Sequence, residues 1–317
     1  MARIVVVTPN PAIDVTYAVE SQSIGETHRV QRIEKRPGGK GVNVARVLAL
    51  LGHHPVALLP LGGAAGEWMS AAIAGLGLQL IAFPIAGETR TTVAVVDDAH
   101  HPTLFSEAGP SISAAEVDAL RERIRGACVG AGMLVISGSL PPGLGADEVG
   151  AWVAVAHSEG ALALVDAGGP ALLAAARAGA DILKPNESEL LEATGAADAA
   201  GGIAALVELG AHTVIVSRGA HGLVAVDGSG ARFEVAAIPR VDGNPTGAGD
   251  AATAGVASAV LEGLPMPDIL RRAAALGAAA VLRPVAGEID LDAYRRFVAP
   301  DGTVSTDRAV STEPGAS

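Results

Sequence analysis

The chain has few cysteines, few aromatic residues and no excess of positive charge. Its 317 residues include 1 Cys and 3% aromatic side chains, and 34 acidic against 22 basic groups give a formal net charge of -12. A single cysteine excludes an intramolecular disulfide and a cysteine-rich metal site. Nucleic-acid-binding proteins usually show a basic excess, so this balance argues against a nucleic-acid partner. A small anionic ligand needs only a local basic cluster.

Long hydrophobic runs are missing as well. The apolar run Ile4–Val7 ends at Thr8 and Pro9, whereas a signal peptide needs roughly 7–15 apolar residues. The longest uncharged stretch, residues 127–146, contains Gly138 and Pro141 and is unsuited to a membrane-spanning helix. The sequence therefore predicts a cytoplasmic protein with no membrane partner.

Short β-branched runs alternate with Ala- and Leu-rich stretches of helical periodicity. The runs predict strands over 4–8, 56–61, 133–137, 162–166, 181–184 and 214–217. The stretches between them predict helices over 42–51, 68–76, 114–125, 148–158 and 203–209. Strands that alternate with helices favour an α/β fold, in which helices cover both faces of a parallel sheet.

Two regions break this alternation. No helical pattern occurs between Asp14 and Arg36, and residues 91–97 and 103–107 look like additional strands. We predict a small β-sheet, built from about 14–36 and 88–107, that covers a site or pairs with a second subunit. The polar segment 301–317 is predicted to be a disordered tail behind a single domain over residues 1–300.

The strongest chemical signal is the glycine-rich segment Asn244–Asp250, with the sequence NPTGAGD, which leads into a predicted helix. The amides of such a turn converge at the helix start, where they attract anions. A carboxylate beside an anion is electrostatically unfavourable, so its presence there indicates a chemical role. Asp250 could take a proton from an attacking hydroxyl. The alternative is that Asp250 only caps the helix.

A second glycine-rich loop, Pro37–Gly41, also enters a helix, and Lys40 and Asn43 could bind a phosphate or hydroxyl groups there. It is not a Walker loop, because no Ser or Thr follows Lys40. The alternative is a plain turn with a solvated lysine.

Three further turns follow predicted strands, where open α/β sheets bind their ligands. In Lys184–Glu189, the side chains of Asn186 and Glu189 could hold Mg²⁺ through water, or they could form a helix capping box. Asp14 and Ser139 lie just beyond two other strands, and each alone would be an ordinary turn residue. The histidine pairs 53–54 and 100–101 lack metal-ligand spacing and are predicted to be surface residues, and Cys128 a buried hydrophobe.

Taken together, these motifs resemble the phosphofructokinase B (ribokinase-like) family of sugar kinases. The resemblance extends from Thr8 to about Arg283. Within the family, the sequence is most similar to the branch that acts on phosphorylated ketohexoses. It implies a three-layer α/β/α ribokinase-like fold with a mostly parallel central sheet and a small β-sheet lid. It also implies an ATP-dependent kinase that converts tagatose 6-phosphate, fructose 1-phosphate or fructose 6-phosphate to the 1,6-bisphosphate.

The resemblance implies a role for each motif. Asp250 would be the catalytic base, and the backbone of Gly247, Ala248 and Gly249 would be the anion hole. The sugar phosphate would be bound by Asp14, Gly38, Gly39, Lys40, Asn43, Arg90 and Ser139, with Arg29 reaching in from a neighbouring subunit. ATP would be bound by Lys184, Asn186, Ser217, Gly219, Gly222, Thr246, Gly247, Gly249 and Ala280. Asn186 and Glu189 would hold Mg²⁺ through water.

The resemblance predicts ATP and Mg²⁺ as cofactors and a homodimer formed through the β lid. Family members that need K⁺ often have an aspartate where Asn244 stands, which argues against a K⁺ requirement. Two alternatives stay open. The first is a kinase of an unphosphorylated sugar or nucleoside, whose substrate has no phosphate for Lys40, Arg90 and Arg29 to bind. The second is a non-catalytic sugar-phosphate sensor, which would not need the base Asp250.

Overall fold

The structure is a computed structural model that describes residues 2–97 and 103–298 and the backbone of residues 304–307. Its contacts divide the chain into two compact units, Met1–Ala161 and Leu162–Ser317. The prediction of one kinase domain over residues 1–300 is not tested by this division and stays a prediction.

The first unit contains a parallel sheet in the order β8–β1–β4–β5. Its strands are β1 (Arg3–Val7), β4 (Val56–Leu61), β5 (Gln79–Pro84) and β8 (Ala131–Ser137). Its helices are α1 (Lys40–Leu50), α2 (Gly63–Gly75), α3 (Ala114–Cys128) and α4 (Asp147–Ser158). Val5, Val6 and Val7 are 0% exposed, as expected for β-branched residues in a parallel strand that is covered on both faces.

A second, small sheet of the first unit has the order β3–β2–β6–β7. Its strands are β2 (Ala12–Ala18), β3 (Arg32–Gly38), β6 (Arg90–Val96) and β7 (Thr103–Ser106). β2 pairs parallel with β6, and the other two pairs are antiparallel. The prediction of a second sheet from these two stretches of sequence is confirmed, and its action as a lid stays a prediction.

The second unit combines three parallel strands with three antiparallel ones. β9 (Leu162–Asp166), β10 (Ile182–Leu183) and β11 (Thr213–Ser217) are parallel, and β12 (Leu223–Val226), β13 (Arg232–Val235) and β14 (Val304–Asp307) follow antiparallel. The helices are α5 (Gly169–Arg177), α6 (Glu187–Thr194), α7 (Ala199–Leu209), α8 (Ala248–Leu261), α9 (Met266–Val281) and α10 (Leu291–Phe297). The α/β class with mostly parallel main strands is therefore confirmed.

The predicted tail, 301–317, contains strand β14, whose backbone pairs with β13. The backbone groups at the edge of β13 gain partners there, and the prediction of a disordered tail over 301–317 stays a prediction. The other tail residues lie outside the described residues.

Two predictions about single side chains have different outcomes. Cys128 is buried, as predicted. His53 is only 6% exposed, so its placement on the surface was wrong, whereas His54 is exposed and residues 100–101 lie outside the described part of the chain. The amide of His53 donates to the Leu48 carbonyl, so this residue belongs to the turn that closes the end of α1.

No single helix in the described part of the chain is long and apolar enough to span a membrane. The bent pair α6 and α7 reaches the required length and composition only when both helices are counted together.

Candidate active site

One face of the small sheet carries a row of polar residues with Asp14 at its centre. The register pairs Asp14 on β2 with Arg36 on β3 and with Thr92 on β6, and Thr92 with Ser106 on β7. Residues that face each other across neighbouring strands share one face of the sheet. Four polar side chains from four strands therefore lie side by side.

Asp14 fits against Gly38 because that residue has no side chain. A Cβ at Gly38 would lie 2.0 Å from Asp14 Oδ2, so any other residue would displace the carboxylate. Burial raises the pKa of Asp14 to about 6, and the positive charges of Arg90 and Arg46 oppose the rise. Asp14 is thus a carboxylate that changes protonation just below neutral pH, which is a property typical of functional sites.

Arg90 is fixed by four hydrogen bonds in the same unit. Its Nε and Nη2 donate to the Asn10 carbonyl at 3.2 and 3.1 Å, and its Nη1 donates to Ser106 Oγ at 2.9 Å and to the Glu107 carbonyl at 2.8 Å. A guanidinium group has about five N–H donors, so within the described residues one N–H of Nη2 is left for a ligand. Burial lowers the pKa of Arg90, with Asp14 and Glu107 opposing, and an arginine in this setting keeps its charge.

An open cleft of about 580 Å³ lies beside Arg90. Arg90 and Ser106 form one wall, and the loop after β8, which contains Ser139 and Pro141, forms another. Asn10 lies between them, only 5% exposed, with Nδ2 donating to the Ala108 carbonyl at 2.9 Å. A fixed guanidinium and a serine hydroxyl in a cleft of this size suit a small anionic ligand that also carries hydroxyl groups.

The Lys40 loop enters α1 without a side-chain cap. Gly39 precedes the helix, and the amide of Asn43, 6% exposed, donates to the Gly39 carbonyl at 3.1 Å. Lys40 is half-buried and lies near the loop that follows β8, since a Cβ at Gly138 would be 3.9 Å from Lys40 Cβ. The structure therefore brings Lys40 to the same loop that contains Ser139.

In the second unit, the Asp250 motif forms an uncapped helix start. α8 follows Gly247, whose φ of 84° lies in the left-handed region that favours glycine, and no side chain caps the helix. Among the described residues the Gly249 amide donates to no acceptor, and a Cβ at Gly249 would meet nothing within 4 Å. Asp250 lies in the first turn and is 7% exposed. An unpaired amide facing open space beside a buried carboxylate suits an anion that must be close to a base.

Asn244 ties the preceding loop to the loop after α9. Its Nδ2 donates to the Pro284 carbonyl at 2.9 Å, its backbone amide donates to the Val281 carbonyl at 2.9 Å, and its Oδ1 accepts from the Thr246 amide at 3.0 Å. The carbonyl of the last residue of α9 and one carbonyl of the loop after it are thus already bound by N–H donors of Asn244. Thr246 itself is exposed.

The Lys184 motif contains a capping box. Asn186 Oδ1 accepts from the Glu189 amide at 2.8 Å, and Glu189 Oε2 accepts from the Asn186 amide at 3.0 Å. Lys184 is 2% exposed, and its Nζ lies 3.5 Å from Asp166 Oδ2. The capping alternative is therefore present, and it leaves lone pairs on both carboxylate and amide oxygens that water could bridge to a metal.

The segment predicted to bind nucleotide follows β11. Ser217 is half-buried and its amide donates to the Pro185 carbonyl at 3.2 Å, so this segment lies next to the Lys184 motif. Gly219 is exposed at the start of a short 3-10 turn, and the Gly222 carbonyl accepts from the Arg218 amide at 2.8 Å. Ala280 lies inside α9 and is 1% exposed.

The structure thus gathers the predicted residues into one cluster in each unit. The Asp14 cluster contains Asp14, Gly38, Gly39, Lys40, Asn43, Arg90 and Ser139. The Asp250 motif and the Lys184 and Ser217 segments lie in the second unit. Arg29 is separate from the Asp14 cluster, exposed in the connection between β2 and β3.

Sequence reasoning missed Asn10, Ser106, Asp166 and Thr253. Thr253 Oγ1 donates to Asp166 Oδ2 at 2.6 Å across 87 residues of sequence, and Arg90 reaches Asn10 across 80. No local sequence pattern predicts a contact between residues so far apart in the sequence. Only the strand order of the fold could have indicated it.

The α/β fold contains two uncapped glycine-rich helix starts. One of them carries a buried carboxylate, and a cationic cleft lies near the other. This combination is typical of α/β enzymes that bind and transfer phosphate groups. The family described as "pfkB family carbohydrate kinase" matches residues 1–292. The chain therefore belongs to the pfkB family of carbohydrate kinases, which confirms the resemblance read from its motifs.

Curated relatives come from two branches of the family. An ATP-dependent 6-phosphofructokinase isozyme 2 of Mycobacterium tuberculosis is 32% identical over 303 residues, which cover 93% of this chain and 88% of that protein. A tagatose-6-phosphate kinase of Staphylococcus epidermidis is 28% identical over 300 residues, which cover 92% of this chain and 96% of that protein.

Solved structures give the same result for the fold. Phosphofructokinase-2 of Escherichia coli is 29% identical, and the match covers 94% of this chain and 98% of that one. Its complex with potassium superimposes with a TM-score of 0.89, its complex with fructose-6-phosphate with 0.85, and its tetrameric inhibited form with 0.86. The ribokinase-like fold is thereby confirmed.

Proposed function

We propose that the chain is an ATP-dependent kinase that phosphorylates a ketohexose phosphate to the 1,6-bisphosphate. The candidate substrates are tagatose 6-phosphate, fructose 1-phosphate and fructose 6-phosphate. The observation that carries the proposal is the cleft lined by Arg90 and Ser139, in which Arg90 has one N–H left for a phosphate and Ser139 offers a hydroxyl. The names of the Mycobacterium and Staphylococcus relatives support the same substrate class.

In this proposal, the chemistry is divided between the two clusters. Asp14 accepts hydrogen bonds from sugar hydroxyls, and the side-chain amide of Asn43 exchanges hydrogen bonds with them. Lys40 and Arg90 bind the phosphate that the sugar already carries. Asp250 takes the proton of the attacking hydroxyl, and the amides of the Gly247–Gly249 turn stabilise charge on the transferring phosphoryl group. Phosphoryl transfer depends mainly on such positioning and charge neutralisation.

ATP and Mg²⁺ fit the second unit. Asn186 and Glu189 supply oxygen ligands at the end of β10, and Mg²⁺ beside a nucleotide usually keeps several waters and needs few direct protein ligands. The described residues contain no group of three acidic, His or Cys side chains around one point, which agrees with a metal held mainly by phosphates and water. When bound, Mg²⁺ would neutralise phosphate charge, and Ser217, Gly219, Gly222 and Ala280 would line the nucleotide.

A panel of matched substrates tests the proposed function. Each candidate ketohexose phosphate is assayed beside its unphosphorylated parent with ATP and Mg²⁺, with and without K⁺. We expect turnover of at least one phosphorylated sugar and little of any parent. Preference for the parents would favour a kinase of an unphosphorylated sugar, and tight binding without turnover would favour a non-catalytic sugar-phosphate sensor.

K⁺ should change these rates less than twofold. The resemblance places the ion near Asn244, which has no carboxylate and whose side-chain amide donates to the Pro284 carbonyl, so we expect no K⁺ site there. A strong K⁺ activation in the panel would contradict this assignment.

Replacing Arg90 by Ala should raise the KM for the phosphorylated sugar about ten- to a hundredfold, since charge-assisted contacts to a phosphate are lost. The KM for the unphosphorylated parent should change less than threefold. Arg90→Lys keeps the positive charge but not the several N–H donors of the guanidinium group, so its KM for the phosphorylated sugar should lie between those of the wild type and Arg90→Ala. Arg123→Ala, which removes an exposed arginine on α3, is the matched control, and an equal effect of Arg90→Ala on both substrates would contradict the phosphate assignment.

We further propose that two copies of the chain associate through the small sheet, with Arg29 of one copy reaching the sugar phosphate of the other. The sheet exposes apolar side chains that a monomer would leave in water, with Ile33 57%, Leu104 64% and Phe105 59% exposed. The tetrameric form of the Escherichia coli relative supports assembly as such.

Sedimentation of Ile33→Glu tests the dimer. The wild type should sediment as a dimer at micromolar concentration, and the variant should shift toward monomer with a higher KM for the sugar phosphate. Leu76→Glu, which changes an exposed leucine at the end of α2, should leave the dimer intact. A monomeric wild type would contradict the proposal.

A further inference from the structure

We propose that Thr253 is a positioning residue for Asp250, because its hydroxyl ties the first turn of α8 to a buried ion pair at the ends of β9 and β10. The functional meaning of this tether rests on the proposed function. The tether itself rests on contacts within the second unit.

The contacts converge on one oxygen atom. Asp166 Oδ2 accepts from Thr253 Oγ1 at 2.6 Å and lies 3.5 Å from Lys184 Nζ. Asp166 and Lys184 are each 2% exposed, and Thr253 is 0% exposed. A hydroxyl that donates to a buried carboxylate forms a short, charge-assisted bond, which is among the stronger side-chain contacts.

Stability is a weak reason for such a pair. Burying two charges costs free energy of desolvation, and apolar residues of similar volume often serve a fold as well or better. A single buried residue that joins the pair to a neighbouring helix instead fixes the geometry of that helix. Here the helix is α8, whose first turn contains Gly249 and Asp250.

Thr253 lies about one helical turn after that first turn. Its Oγ1 is 2.9 Å from the Gly249 carbonyl and 2.6 Å from Asp166 Oδ2. The hydroxyl has one proton for these two acceptors, and the charged carboxylate is the stronger acceptor. The hydrogen bond that Thr253 donates to Asp166 therefore holds the start of α8 at a fixed distance from β9, and with it the carboxylate of Asp250.

The contact also accounts for Thr at this position. A threonine inside a helix can bond back to the carbonyl four residues earlier, which tends to bend the helix. Asp166 draws the hydroxyl toward β9 and limits that bending. Lys184 Nζ lies against the same carboxylate oxygen, so Lys184 has a structural role in addition to the contact with ATP proposed above.

Four variants test the tether. Thr253→Val keeps the shape and removes the hydroxyl, Thr253→Ala removes it with a different shape, and Thr253→Ser keeps it. Ser258→Ala removes another buried hydroxyl from α8, one that bonds the Gly255 carbonyl at 3.1 Å, and is the matched control. Amide hydrogen exchange of the peptide 246–254 and steady-state kinetics are measured for all four in the full chain.

We expect exchange of peptide 246–254 to accelerate about tenfold or more in both hydroxyl-free variants and to stay within twofold in Thr253→Ser and Ser258→Ala. The kcat should fall about ten- to a hundredfold in the hydroxyl-free variants, as for loss of a hydrogen bond to a charged group, while both KM values change less than threefold. Thr253→Ser should restore kcat to within about threefold.

Unchanged exchange in Thr253→Val and Thr253→Ala would overturn the tether. A raised KM at unchanged kcat would overturn the positioning of Asp250, even if exchange accelerates. If the wild type phosphorylates none of the sugars in the panel, the proposed function fails, and the exchange measurement still decides whether Thr253 fixes the α8 start.

Discussion

Replacing Asp250 by Asn should lower kcat by roughly two to four orders of magnitude, the usual contribution of a general base. The amide has nearly the same size and keeps the polar contacts of the helix start, but it cannot take the proton of the attacking hydroxyl. Binding of the sugar phosphate should be preserved, because the residues proposed to hold it lie in the Asp14 cluster. Calorimetric binding together with single-turnover kinetics separates the two quantities.

The competing interpretation is that Asp250, which does not cap α8, only interacts with the helix dipole from the first turn. Such an interaction contributes about 0.3–1 kcal/mol of helix stability and no rate effect. Asp268→Asn is the matched control, since Asp268 also lies in the first turn of a helix, α9, where it pairs with Arg271. We expect this variant to lose some thermal stability and to keep normal turnover. Near-normal kcat in Asp250→Asn would contradict the assignment of a base.

Replacing Asp14 by Asn should remove the acidic limb of the pH profile. With the pKa of Asp14 raised to about 6, kcat/KM of the wild type for the sugar phosphate should fall as the pH drops below about 6. The protonated carboxyl has lost the charge that strengthens its bond to a sugar hydroxyl. The variant should show a flat profile through this range and a value about ten- to a hundredfold lower at pH 8.

The same substitution should make the fold more stable at high pH. The folded-state pKa of Asp14 lies above the ordinary value of 3.8, so ionisation costs the folded protein more than the unfolded chain. This penalty, on the order of 1–3 kcal/mol, is complete above about pH 6 and disappears as the pH falls toward 3.8. Asp14→Asn should therefore raise the Tm at pH 8 and have little effect near pH 4.

Asp118→Asn is the control for both measurements, because Asp118 is an exposed residue of α3. It should leave the pH profile and the Tm difference between pH 8 and pH 4 as in the wild type. An Asp14→Asn variant that retains the acidic limb would show that another group produces it. A lower Tm at pH 8 would show that the ionised carboxylate stabilises the fold through its arginine neighbours.

Buried strands were the part of the fold that the sequence predicted best. Val56–Leu61 and Leu162–Asp166 match their predicted ends, because short, mainly apolar runs with Pro or Gly within two residues of each end leave little choice of limits. The strand predicted over 181–184 is shorter, Ile182–Leu183, although the Asp181 carbonyl and the Lys184 amide still bond to the neighbouring strands. Asp181 accepts from the Ala163 amide at 2.8 Å, and Lys184 pairs with Asp166.

The hairpin of β12 and β13 was not predicted. Its strands have only four residues each, too few for a periodic pattern to stand out. A local signal was present in the turn between them, where Asp227 Oδ1 accepts from the Ser229 amide at 2.9 Å. Such Asp- and Gly-rich turns between short apolar runs are typical of hairpins.

The candidate site was predictable where a motif is contiguous. The two glycine-rich turns predict helix starts, and a helix begins at each of them in the structure. The four bonds of Arg90 and the contact between Thr253 and Asp166 were not predictable, since each depends on which strands are neighbours. Burial was also misjudged for His53, because a polar residue type does not reveal that a position in the turn after a helix is buried.

Phosphorus NMR of the reaction mixture tests the central claim most directly. The full chain is incubated with ATP, Mg²⁺ and each ketohexose phosphate, and both the nucleotide and the sugar resonances are followed. The account predicts that one sugar gains a second phosphomonoester resonance as an equal amount of ADP forms. Release of inorganic phosphate without a bisphosphate, or unchanged ATP with every ketohexose phosphate, would contradict it.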